Sequence, residues 1–113
     1  MTQYSRSVLL ALLLGIGWLG IAQASPPLCA KNALEQAQRL LVFHVGEDDR
    51  IAIDPEVVEK APLRNPANQD QTFQVLEVWG TVYKGRYRMR LIYYPLGQEC
   101  VLMGQEVLEY SSL

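Results

Sequence analysis

The stretch Thr72–Tyr94, TFQVLEVWGTVYKGRYRMRLIYY, decides the fold. Its period is two: Leu76, Val78, Gly80 and Val82 alternate with Val75, Glu77, Trp79 and Thr81, and Tyr87, Met89 and Leu91 alternate with Arg86, Arg88 and Arg90. Alternation of this kind marks strands with one face in a core. Closing the two arms at Lys84-Gly85 predicts a hairpin in which Tyr83 faces Arg86, Val82 faces Tyr87 and Trp79 faces Arg90. One face then becomes almost wholly apolar. A three-residue loop joining Val82 to Arg86 would mix arginines with valines on one side, and such a one-residue slip is costly wherever a face is buried.

Working outward, YPLGQ (residues 94–98) supplies the next turn, with Pro95 at its first central position and Gly97 closing it. If Tyr93 pairs with Cys100, the third strand adds Cys100, Leu102 and Gly104 to the core face. Upstream, KNALEQAQRLLVFH (residues 31–44) reads as a helix capped by Asn32, with Glu35 reaching back to the cap. Its apolar stripe is Leu34, Ala37, Leu40, Leu41 and Val45, and Gly46 stops it. In the middle of the chain, RIAID (50–54) suits a short strand. DPEVVEK (54–60) suits either a helical turn or an edge strand, and APLRNPANQDQ (61–71) reads as loop from its Pro and Asn content.

Cys29 and Cys100 are the only cysteines. An even count in an exported domain reads as a disulfide, and Cys29 just before the helix would meet Cys100 on the sheet, in agreement with the strand pattern. On the chain-entropy model such a bridge is worth roughly 4 kcal/mol. The predicted fold is α+β: one N-terminal amphipathic helix on a twisted antiparallel meander of three to four strands, stapled once. In architecture this layout resembles that of cystatin-like domains; no motif identifies a family.

The first 24 residues read as a secretory signal. Arg6 is the only charge before Lys31, an apolar run covers Val8–Ala22, and the AQA of residues 22–24 presents small residues to a signal peptidase. Gly15, Gly17 and Gly20 weaken the run as a membrane helix, and SPPLC (25–29) lacks the small residues that precede a lipidated cysteine. The expectation is a single periplasmic or secreted domain over residues 25–113, with no membrane span after cleavage. That part carries nine Lys and Arg against twelve Asp and Glu, which argues against general nucleic-acid binding. Charge is uneven: six acids lie between Glu47 and Glu59, whereas Lys84, Arg86, Arg88 and Arg90 form a block with no acid inside.

The same register groups Trp79, Tyr83, Arg86, Arg88, Arg90, Ile92 and Met103 on the face away from the helix. Arginine with tryptophan and tyrosine is the composition of interface hot spots, so these seven residues are the candidate contact surface for a protein partner or a second copy. Two other readings stand beside it. The segment 46–71 folds over Trp79, Ile92 and Met103 as a lid, or Arg86, Arg88 and Arg90 form an anion site about 7 Å apart in steps, suited to an extended polyanion of the cell envelope. Catalysis finds little support. His44 is the sole histidine, placed where a helix dipole stabilises it, and no nucleophile motif accompanies it. GEDDRIAID (46–54) lacks the spacing of a calcium loop, and with both cysteines paired no zinc set remains. No cofactor is expected.

Overall fold

The computed structural model describes residues 25–110; the predicted signal segment lies outside them. One helix, α1 (Ala30–Val45), packs on an antiparallel sheet of five strands: β1 (Ile51–Ile53), β2 (Val58–Asn65), β3 (Asn68–Val82), β4 (Gly85–Leu96) and β5 (Glu99–Tyr110). Strands β2 to β5 form a meander, and β1 pairs with the far end of β3, so that β1 and β2 share one side of that long strand. Cys29 and Cys100 are bridged, with Cα atoms 5.9 Å apart. Among the described residues no helix is long and apolar enough to cross a membrane.

Burial follows the alternation. Leu76, Val78, Met89 and Leu91 are fully buried together with Ala33, Ala37 and Leu41 of α1, and Tyr87 and Tyr93 close the same cluster. Leu34 and Val45 pack at its margin. The helix sits close because Gly80 offers no side chain: a Cβ there would lie 2.9 Å from Leu41 Cδ2 and 3.1 Å from both Ile53 Cδ1 and Met89 Cε.

The predicted register is displaced by two residues. Val82 faces Gly85, Gly80 faces Tyr87, Val78 faces Met89 and Leu76 faces Leu91, so the tight turn is Tyr83-Lys84, with Tyr83 at φ 55°. Gly85 belongs to the strand, and its missing side chain makes room for Tyr87, whose ring would lie 3.0 Å from a Cβ at that position. A displacement of two preserves every residue's face, so the core is the predicted one although each cross-strand partner differs.

Four further expectations are corrected. The helix begins at Ala30 after Cys29, whose carbonyl accepts a hydrogen bond from the Ala33 amide at 2.9 Å, and no side chain caps it; Asn32 lies inside the helix. The 94–98 turn falls on Gly97-Gln98, with Pro95 in β4 opposite Cys100 and Tyr93 opposite Leu102. A register shift then leaves Met103 as an extra residue, so Ile92 faces Gly104 and Leu91 faces Gln105. That bulge moves Gly104 off the helix side and puts Gln105 and Val107 there. The segment expected as loop is the arm of the β2–β3 hairpin: Asn65 faces Asn68, and the Asn65 amide donates to Gln71 Oε1 at 2.6 Å. Its irregularity is absorbed by shifts between Lys60 and Leu63 and between Arg64 and Asn65, around Pro62.

Candidate functional site

On the face turned away from α1, β3 contributes Val75, Glu77 and Trp79, β4 contributes Arg86, Arg88, Arg90 and Ile92, and β5 contributes Gly104, Glu106, Leu108 and Tyr110. The observed pairing sets Arg86 beside Thr81, Arg88 beside Trp79 and Arg90 beside Glu77. The predicted pairs Arg90–Trp79 and Arg86–Tyr83 therefore do not form.

Glu77 is the hub of this face, and it is only 7% exposed. Its Oε2 accepts a hydrogen bond from Arg90 Nε at 3.2 Å and lies 3.9 Å from Arg88 Nε, while Oε1 accepts from the Trp79 indole N–H at 3.2 Å. Glu106 adds a second, more exposed carboxylate, 3.8 Å from Arg90 Nε and 4.0 Å from the Arg88 guanidinium. A buried charge must be matched to be tolerated, and two arginines with two carboxylates meet that requirement. Two members of the arginine row are thus neutralised within the molecule. Glu77 was legible as a face residue, but its role depends on the register: only with Glu77 opposite Arg90 does the carboxylate fall between two guanidinium groups.

Arg86 is placed differently. Its guanidinium carbon stands 4.1 Å from the centre of the Trp79 ring, and the described residues include no carboxylate paired with it. Tyr110 packs against Trp79 with ring centres 5.3 Å apart, and its hydroxyl accepts from Arg88 at 3.2 Å. The result is an aromatic pair with a cation over the indole face and Glu77 holding the indole N–H at its edge.

Ile92 lies on the same face in a cleft of about 470 Å³ lined by Lys60, Ala61, Leu63, Val75, Arg90 and Glu106. Met103 is the exposed bulge residue of β5. Tyr83 is not on this face: it occupies the β3–β4 turn, 69% exposed, with Arg50 and Lys84 4.9 Å and 5.5 Å from its ring centre. Segment 46–71 pairs with β3 through β1 and β2 and covers the face only in part: Lys60, Ala61 and Leu63 of β2 wall the cleft at Ile92, while Met103 stays exposed.

His44 is exposed near the end of α1, edge-on to Tyr87 at 5.8 Å between ring centres. The Tyr87 hydroxyl approaches Glu109 at 3.3 Å, and burial, with the Glu109 charge second, raises its pKa above the ordinary value. No family model, no curated protein and no solved structure matches this chain.

Proposed function

We propose that the chain is an exported, non-catalytic binding module that docks a protein partner on the outer sheet face, around Trp79, Arg86 and Tyr110. The observation that carries this reading is the stack of Arg86 on Trp79, buttressed by Tyr110 and anchored by the buried Glu77. A rigid aromatic pair with a guanidinium over it offers large contact area at small entropic cost, which is why Trp, Tyr and Arg dominate interface energetics. Exposed Leu108 and Met103 and half-buried Ile92 give the surroundings an apolar character that favours a protein surface over solvent.

An envelope polyanion is the weaker reading. It needs three free guanidinium groups in a row, and Arg88 and Arg90 already face Glu77 and Glu106. Affinity capture from an envelope extract of the cells that make the protein distinguishes the two. Partner docking predicts a captured protein that survives added salt and is lost with Trp79→Ala or Arg86→Ala. Capture unchanged by both substitutions overturns the reading, and capture of anionic polymer that fades steeply with salt supports the polyanion instead.

A further inference from the structure

The two edges of the sheet are built in opposite ways. On one side β2 carries Pro62, two register shifts, Lys60 and Arg64, the devices by which natural sheets discourage further pairing. On the other side β5 runs twelve residues with a single bulge and with no proline, lysine or arginine. Val101, Leu102, Met103, Leu108 and Tyr110 are all exposed along it. An edge of this length and apolar character, interrupted by one bulge and three glutamates, is a template for another strand.

We propose that this edge pairs with β5 of a second copy, antiparallel, about a twofold axis through Gln105. The pattern of β5 is self-complementary in that register and depends on the bulge. With Gln105 facing its own symmetry mate and Met103 again left over, Gly104 faces Glu106 of the second copy, Leu102 faces Val107, Val101 faces Leu108, Cys100 faces Glu109 and Glu99 faces Tyr110. Residues that meet lie on the same face of the sheet, because the bulge at Met103 switches the alternation between the two halves of β5. Apolar residues meet apolar ones. The strand bears three acids and no base, yet no acid sits directly opposite another, and Glu106, nearest the axis, already faces Arg88 and Arg90. Such an isologous contact closes on itself as a dimer. On the helix side, the cleft lined by Gln36, Arg39, Leu40, Phe43 and Gln105 borders the axis and carries Phe43, which is 89% exposed. The dimer joins two outer faces into one continuous sheet surface, and it stands whether or not that surface binds a partner.

The test is sedimentation of the purified, oxidised protein, with circular dichroism to establish that each variant is folded. Wild type is expected as a dimer. Leu108→Lys sets a charge against Val101 and is expected to weaken the dimer about tenfold or more, and adding Val101→Glu, which faces it across the axis, is expected to restore association. Under mild oxidation Gln105→Cys is expected to cross-link into a covalent dimer far faster than Glu109→Cys, since only position 105 meets itself. A strict monomer overturns the proposal, as does open-ended association, which would mean head-to-tail pairing of edges. A dimer indifferent to Leu108→Lys, or one in which Glu109→Cys cross-links as fast as Gln105→Cys, overturns the register. Trp79→Ala leaves the dimer intact, so failure here is separable from failure of the docking face.

Discussion

The two faces of the β3–β4 hairpin are made from the same backbone and neighbouring residues, and they are stabilised by different means. Beneath α1, Leu76, Val78, Met89 and Leu91 are held by burial alone. On the other side, Glu77 is nearly as buried but is held by Arg90 and Trp79. Burial is non-directional and roughly additive in area, whereas a buried carboxylate depends on particular partners at particular distances. One face therefore tolerates a register error of two and the other does not: moving β4 by two residues leaves the apolar set intact and takes Glu77 away from Arg90.

Substitutions can sharpen this contrast. Leu91→Ala empties part of the core and is expected to cost about 2–5 kcal/mol in chemical denaturation; a loss below about 1 kcal/mol would mean that the helix does not seal that face. Gly80→Val forces a side chain against Leu41, Ile53 and Met89 and is expected to cost about 1–3 kcal/mol through overpacking. Glu77→Ala leaves the Trp79 indole N–H without its acceptor and Arg88 and Arg90 with Glu106 as their one carboxylate, with an expected loss of about 1–3 kcal/mol and a change in Trp79 fluorescence. Unaltered fluorescence would argue against the indole contact. The smallest effect is at the surface. Arg50 donates side-chain and backbone hydrogen bonds to Asp48 and lowers its carboxyl from 3.8 to about 2. Because the folded value lies below the ordinary one, the stabilisation is present above about pH 3.8 and is lost as pH falls toward 2. An NMR titration of Asp48 that moves upward, part of the way to the ordinary value, in Arg50→Ala, which removes the guanidinium and keeps the backbone amide, checks it.

Much of the fold was legible because it depended on pattern. Period two in Thr72–Tyr94 settles which residues face the helix, and the stripe from Leu34 to Val45 settles which side of the helix meets them. The pairing of Cys29 with Cys100 was legible from the count alone. Register was not legible, since Tyr83-Lys84 and Lys84-Gly85 give the same parity, and what differs between them is cross-strand contact such as that of Glu77 with Arg90. Nor was the β2 arm legible, because Pro62, Asn65 and Pro66 are turn formers, and only the irregular edge pairing with β3 admits them into a hairpin. In the candidate site, Trp79 and the arginines were visible by residue type. The central place of Glu77 and the companion Tyr110 were hidden, since one depends on register and the other on a bulge at Met103 that no local signal announces.

The claim on which the rest depends is that β4 presents alternate residues to helix and solvent. Single cysteines placed along it, with Cys29 and Cys100 kept oxidised, can be tested with a thiol reagent. Arg86→Cys, Arg90→Cys and Ile92→Cys are expected to react quickly, while Met89→Cys and Leu91→Cys react only after unfolding. Uniform reactivity along the strand, or protection at the arginine positions with rapid reaction at 89 and 91, would contradict the account.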